Sequence, residues 1–587
     1  MKHLFPLLLL VFSYFSVNAS ESYSKVEGLK AFAKLYGYVK YFHPSEEASK
    51  VDWEKFSIYG AEKVESCNSD TELLASLQEL FHPIAPSIKI YFKENEVAYD
   101  ISQISPKGEE KFKELTYWQH EGLGLGMKYS NSLYKSVRVH KKSQMIFKGE
   151  PTFGELIQKP LTNTISCQIP LVLYKNKVAT YPRASDAENT NLNQSLARIN
   201  TVGCSLGLRL GNIVNTYNVF QHFYPYFDET GTDWDLALEE ALQYSFNSPD
   251  IMEIHIKNLE RFTAKLKDGH INVYQSETEK YFPAFAWEWI EEKLIITQVF
   301  DENIPLTVGD EVMMVDGKPA LFYFEKIEER ISAATNGWQK YKSSWKSLEG
   351  SRGTELKLLL EEREVRVTRN INTDIYFDSF IENEKYKTIE DGIIYLNLDK
   401  ITWSEIKAKM DELNESKAII CDLRGYPKGS HFLINYLLPQ KDTSRQWMQV
   451  PKIIYPDQEN IVGYTKHAWN LSYIRNSKLS DKKIIFITDG RAISYAESYM
   501  SFIEHYDLAT IVGQPTAGTN GDINPFNLAG DISVSWTGLK VFKHDGSQHH
   551  GVGIQPDIWV EKTVDGVKEG RDEFLEVAIK EAKKVLH

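Results

Sequence analysis

Ser494 stands where a short apolar run gives way to helical spacing, a place from which a hydroxyl can act as a nucleophile. Ile484 to Ile487 reads as a strand covered on both faces, and Thr488-Asp489-Gly490 breaks it. Tyr499, Met500, Ile503 and Tyr506 then recur at helical spacing. A serine at the carboxyl end of a parallel strand lies beside the unpaired N–H groups of a helix start, which can stabilise the charge that acyl transfer creates. The same serine can serve only as an N-cap, and on local spacing alone the cap is the simpler reading.

Acyl transfer by serine also needs a base, a group to orient that base, and N–H donors for the oxyanion. The G-x-S-x-G elbow of α/β-hydrolases is absent. Ser480-Asp-Lys-Lys483 has S-x-x-K spacing but precedes a strand, and reads as a solvated turn. The segments around Ser494 resemble instead the motifs of peptidase family S41, the tail-specific and tricorn-like serine peptidases. Asp422-Leu-Arg-Gly-Tyr-Pro-Lys-Gly429 resembles their D-x-R-x-N-x-G-G turn, and Ser494-Tyr-Ala-Glu497 their S-A-x-E motif. Gly513-Gln-Pro-Thr-Ala-Gly518 resembles G-E-x-T-x-G, and Gly551-Val-Gly-Ile-Gln-Pro-Asp557 resembles G-x-G-I-x-P-D. The four follow the family's order across about residues 380–565.

The resemblance implies that Ser494 is the nucleophile and that the N–H groups of Tyr495 and Gly425 form the oxyanion hole. Donors of this kind contribute about 3–4 kcal/mol each to the transition state. The lysine base of the processing-peptidase branch has no counterpart, because Gly518-Thr519-Asn520-Gly521 fills its place. The tricorn-like branch draws a histidine from the helical unit ahead of the PDZ-like region. Asp268-Gly269-His270 stands there, which implies His270 as general base. That branch's acidic third member would fall at His550, which cannot act as an anion. Asp522, Glu497 and Asp268 are the carboxylates open to that role, Glu497 being alternatively a brace for the helix, and His550 is the reserve base.

The function implied is an exported, cofactor-free and metal-free serine endopeptidase acting on extended or unfolded polypeptide, chosen in part by its C-terminal end. The missing lysine and altered acidic position leave one alternative, a non-catalytic ligand- or peptide-binding protein on the same scaffold, as in the family's retinoid-binding relatives.

The elements that must position these residues extend well beyond one core. At 587 residues the chain predicts about three or four domains. It carries 67 basic against 81 acidic residues, a net charge of −14 without a long basic run, which argues against a nucleic-acid partner. Met1-Lys-His, an apolar stretch from Leu4, and Val17-Asn18-Ala19 read as a signal peptide cleaved after Ala19. The expected location is periplasmic or secreted, with no transmembrane segment after signal removal. Four cysteines are too few for a disulfide scaffold; Cys421 reads as a buried thiol, and a Cys167–Cys204 bridge is open.

One internal repeat stands out. Tyr36 to Pro44 followed by Asp52-Trp53 matches Tyr217 to Pro225 followed by Asp233-Trp234. Each copy reads as a helix ended by proline, then an aspartate capping a second helix, with the tryptophan packed back on the first. His43 is replaced by Tyr224 in the second copy and reads as structural. Between the copies, Ile88–Phe92, Ser136–Val139, Met145–Phe147 and Pro170–Tyr174 read as strands of a β-rich module attached to the first helical unit. The 12% aromatic content leaves a glycan-binding role for that module open.

Val308-Gly-Asp-Glu-Val…Val315-Asp-Gly-Lys-Pro319 has the spacing of a PDZ domain, which takes peptide tails by strand addition. The expected architecture is therefore multidomain α/β. It comprises a signal peptide (1–19), a helical unit plus β-rich module (20–205), a helical unit (206–282), a PDZ-like β domain (283–375) and a crotonase/ClpP-like α/β catalytic domain (376–587), the last as the resemblance implies.

Overall fold

The computed structural model describes residues 23–107, 112–125, 133–275, 279–361, 363–380, 384–390, 392–444 and 447–584. The expected signal peptide lies outside them. Among the described residues no helix is long and apolar enough to cross a membrane.

The repeat builds a single helical body. Helix α1 (Lys25–Phe42) starts at Ser24, whose hydroxyl accepts the Glu27 N–H, and it stops ahead of Pro44. Helix α2 (Trp53–Glu65) is capped by Asp52. In the second copy Ser205 caps α3 (Leu206–Phe223) and Asp233 caps α4 (Trp234–Phe246). The tryptophans pack as expected: Trp53 meets Tyr36 edge-on at 5.1 Å, and Trp234 stacks on Tyr217 at 6.1 Å. The two copies are not separate units, however. Tyr36 donates to Asn215 at 2.8 Å and Asn218 donates to the Ala33 carbonyl at 2.9 Å, so α3 is buried on nearly every face. The close approach requires Gly37, since a Cβ there would fall 1.8 Å from Asn218 Oδ1.

The β-rich segment departs from expectation in two ways. Glu114–Glu121 pairs with Lys135–Val139 and Leu173–Lys175, but also with Met448–Ile453 from the C-terminal region, through His120↔Ile453 and Glu121↔Lys452. One seven-stranded sheet thus joins both ends of the chain instead of leaving a module on the helices. Pairing covers edges that would otherwise stand open. Met145–Phe147 is no strand, because the Gln119 side chain takes its backbone groups: Gln119 Oε1 accepts the Ile146 N–H and Nε2 donates to Phe147 O.

The aromatics of this region pack in the core. Tyr41, Phe42, Phe223, His120 and His222 form one ring cluster, which removes the compositional support for a glycan surface. His43 is buried, bonded to Ser45 and Ser87, as a structural residue would be. All four cysteines are free, so no Cys167–Cys204 bridge forms, and Cys421 is a buried strand thiol.

After helix α5 (Met252–Ala264) the chain makes the Asp268–His270 turn and enters the strand Asn272–Gln275. A β unit follows. The hairpin Phe285–Ile290/Lys293–Val299 packs against a four-stranded antiparallel sheet containing Val312–Val315 and Glu355–Leu360. Helix α6 (Asn336–Lys346) lies along the hairpin, and its Ser344 carbonyl accepts the Trp287 indole N–H at 2.9 Å.

The last region is α/β. Its six-stranded sheet runs Tyr386–Glu390, Ile393–Asn397, Ala418–Asp422, Lys483–Thr488, Thr510–Gly513, Ile558–Trp559, parallel after the first pair. Strand alternation divides the central strand between two layers. Ile484 and Phe486 pack with Tyr499, Met500 and Ile503 of α7 (Tyr495–His505), while Ile485 and Ile487 pack with Phe574, Ala578 and Ala582. The strand expected to be covered on both faces is so covered.

Among the described residues burial holds six histidines far below their ordinary value: His43 and His255 to about 3, and His120, His222, His544 and His550 to about 4. The unfolded chain takes up these protons near 6.5 while the folded chain does not. Their contribution to stability is therefore complete above pH 6.5 and is lost as pH falls. The urea midpoint should fall progressively from pH 6.5 to 5, above the main carboxylate range. A midpoint constant across that window would contradict this.

Candidate active site

The central strand ends at Thr488, and a tight turn at Gly490 carries the chain to Ser494. A Cβ on Gly490 would meet the Gly337 carbonyl carbon at 2.4 Å, so only glycine fits between these backbones. Ser494 has φ 60° and ψ −110°, unlike the extended backbone of the helix caps at Ser24, Ser205 and Asp233. That conformation is strained for a residue with a side chain. The Ser494 N–H donates to the Thr519 carbonyl at 2.9 Å, which pins the strained residue from its backbone side. An ordinary N-cap has no need of this geometry.

Glu497 explains what holds the turn. Its side chain is fully buried. Oε1 accepts Thr516 Oγ1 at 2.6 Å and the Gly518 N–H at 2.7 Å; Oε2 accepts the Thr519 N–H at 2.9 Å. His549 Nε2 stands 3.3 Å from Oε1. Burial alone would raise this carboxyl, but His549 and the donors from Thr516 and Gly518 outweigh it and hold Glu497 below its ordinary value. Of its two sequence readings, brace or orienter, the contacts are those of a brace.

Gly269, next to His270, and Ser494 converge on Thr519. The Gly269 N–H donates to Thr519 Oγ1 at 3.0 Å, while the Thr519 carbonyl holds Ser494. His270 Nδ1 lies 2.8 Å from Thr537 Oγ1, and Thr537 Oγ1 donates to Asp268 Oδ1 at 2.7 Å. Asp268 is fully buried and also accepts the His270 and Thr537 N–H groups. A hydroxyl has one proton. With that proton on Asp268, Thr537 can only accept from His270, so Nδ1 carries the hydrogen and Nε2 presents a lone pair. Burial lowers the pKa of His270, and Lys342 adds to this, against the opposing pull of Asp268, Glu497 and Asp522.

Asp268, one of three candidate carboxylates, thus reaches the histidine through a threonine. Thr537 was not foreseeable: it is neutral, lies in no motif, and follows the strand Ile532–Ser535, which pairs with Asn272–Gln275. Asp522 is exposed and interacts with His270 only at a distance. His550 is stacked on Tyr226, ring centroids 4.0 Å apart, with 3% exposure, and burial holds it down to about 4. The stack fixes the ring of this reserve base against the second copy of the repeat.

The two expected N–H donors lie at the carboxyl ends of neighbouring parallel strands. Tyr495 is the first residue of α7, where an N–H has no intrahelical acceptor. Gly425 follows the neighbouring strand, in a turn fixed by Arg424, which bridges Asp422 and Asp572. A Cβ on Gly425 would lie 2.1 Å from Asp399 Oδ2. Burial and neighbouring Asp422 push Asp399 up to about 7, so this carboxyl adds less than a full negative charge beside the turn at neutral pH. The Tyr426 and Tyr495 rings lie 5.7 Å apart, and His431 and Trp469 continue this aromatic wall.

Removing the Ser494 side chain should release strain. Ser494→Gly is expected to stabilise the fold by about 1 kcal/mol, while Ser494→Ala should not. Thermal melts of the three proteins test this; equal shifts for glycine and alanine would refute the strain.

Residues 392–560 match the family model described as peptidase family S41, which bears out the resemblance read from the four motifs and assigns the α/β domain to a peptidase family. Among solved structures, mature CPAF complexed with lactacystin aligns with a TM-score of 0.53 at 14% identity, over 65% of this chain and 98% of that one. Mature CPAF gives 0.52 at 14% identity, over 64% and 97%. Tricorn protease gives 0.35 at 13% identity, over 65% and 37%. At 14% identity the likeness to mature CPAF is one of fold. No curated protein matches the chain.

Proposed function

We propose that this chain, which carries the S41 peptidase sequence in residues 392–560, is an exported serine endopeptidase that cleaves extended or unfolded polypeptides through an acyl-enzyme on Ser494. The observation that carries the reading is the Asp268–Thr537–His270 chain, which leaves the lone pair on His270 Nε2, next in sequence to Gly269, whose N–H binds the threonine that holds Ser494.

In the mechanism, Ser494 Oγ attacks the scissile carbonyl as His270 Nε2 takes its proton. The Tyr495 and Gly425 N–H groups receive the oxyanion. The imidazolium is stabilised by Asp268 through Thr537, then gives its proton to the departing amine. Water, deprotonated by His270, releases the acyl group and restores Ser494. No lysine takes part: in its family place, Thr519 holds Ser494 and Asn520 accepts from Ser498 at 2.9 Å.

The aromatic wall beside Tyr495 gives an apolar substrate residue a surface to cover. The β unit at 283–375 is read as PDZ-like and binding chain ends. Its support is the exposed apolar trio Met313, Leu321 and Phe322 beside a short edge strand. Export rests on the leader-like sequence ending at Ala19.

A fluorophosphonate probe tests the mechanism. Wild type should label, Ser494→Ala should not, and His270→Gln should slow labelling by at least about 10³-fold, whereas His550→Gln should leave it unchanged. Because His270 titrates below 6.5, labelling should be flat above that pH and decline below it. An unlabelled wild type that cleaves no denatured protein would shift the reading to the binding alternative.

A further inference from the structure

The His270 turn is held from outside its own domain. The Asp268 N–H donates to Ser332 Oγ at 2.8 Å, and both residues are buried. The Trp338 indole nitrogen lies 2.9 Å from where a Gly269 Cβ would stand. One helical turn further along α6, Lys342 Nζ donates to Asn272 Oδ1 at 2.8 Å and approaches the Ile271 carbonyl at 3.4 Å. The same segment reaches the serine side: Thr335 Oγ1 donates to the Ala517 carbonyl at 3.1 Å, and Gly337 packs on Gly490. Segment 332–342 therefore touches both halves of the site.

Lys342 is the unusual member. It is 5% exposed and, among the described residues, pairs with no carboxylate at ion-pair distance. Glu260, the acid across from it on α5, is already bonded to Arg330 at 2.9 Å and Lys346 at 2.6 Å. A cavity of about 10 Å³, room for one water, is lined by Glu260, Lys342 and Lys346 together with Ile271 and Asn272. A buried ammonium resting on two amide oxygens is costly. Methionine would fill the same space without that cost. What the ammonium adds is two directed bonds to the residues after His270 and a positive charge near the imidazole.

We propose that Lys342 is a positioning residue of the serine–histidine site, fixing the Asp268–Asn272 turn from the β unit and with it the place of His270. The proposal rests on the mechanism above. The charged groups facing Lys342 are Glu260 from α5, Asp268 from the turn, and Lys346 and Glu349 from its own helix and its end. Those facing His270 are Asp268, Glu497 and Asp522, all favouring the imidazolium, with Lys342 opposing them. Removing the positive charge therefore raises the histidine pKa.

The test is the pH dependence of fluorophosphonate labelling by the full chain with Lys342→Met, Lys342→Arg and Asn272→Ala, each checked for wild-type circular dichroism. Lys342→Met should lower the plateau rate about tenfold or more and move the acid limb to higher pH. Lys342→Arg, which keeps the charge, should leave the limb in place. Asn272→Ala removes one bond but keeps the charge, and should lower the plateau without raising the limb; it decides the matter if the methionine variant fails to fold. A folded Lys342→Met with the wild-type plateau and limb overturns the proposal, as does Asn272→Ala with a wild-type plateau. Labelled wild type with unaffected variants leaves the serine–histidine reading standing, whereas unlabelled wild type overturns both.

Discussion

The buried carboxylate of Glu497 is the constraint on which the site depends. A fully buried anion must find donors, and here they come from three places: Thr516 with the Gly518 and Thr519 backbone, the start of α7, and His549. Satisfying it draws the Thr516–Thr519 loop onto the helix that begins after Ser494. Thr519 is then placed to hold Ser494 through its carbonyl and Gly269 through its hydroxyl. Removing the carboxylate would orphan the loop amides it accepts, so its worth is architectural before it is chemical.

Around this hub, segments distant in sequence meet within a few hydrogen bonds. The turn at 268–270, the segment 332–342, the glycine at 425, the start of α7 and Thr537 each contribute one contact type. None sits on a long flexible loop; each is the end of a strand or helix whose other face is in a core. Fixing side chains in this way supplies orientation in advance. The strain at Ser494 is sustained by the same contacts.

Some of this was legible in the sequence. Ser494 and the repeat are local patterns: an apolar run that breaks at glycine, and prolines and aspartates at helix ends. The family resemblance pointed to His270 and to the candidate carboxylates Asp268, Glu497 and Asp522. Illegible were contacts without a local signature. Thr537 is one neutral residue beyond a strand, and Lys342 resembles any lysine on an amphipathic helix. Likewise, nothing within Glu114–Glu121 specifies that its partner lies at Met448–Ile453, since either edge of a strand can pair with any suitable neighbour. Gln119 erased the expected strand at 145–147 by a side-chain bond that periodicity cannot register.

That long-range sheet has a consequence in time. A strand near residue 114 cannot pair with one near 448 until the intervening chain has been made, and non-local pairings of this kind close slowly. The helices form from early sequence, but the loop after Asn520 is held by Tyr134 and Leu123, through Tyr134 donating to the Asp522 carbonyl and Asn524 donating to Leu123. Serine, histidine and their support are thus assembled only when both ends of the polypeptide have come together. A nascent or truncated chain carries all the chemical groups up to its break and still lacks the arrangement that brings them together.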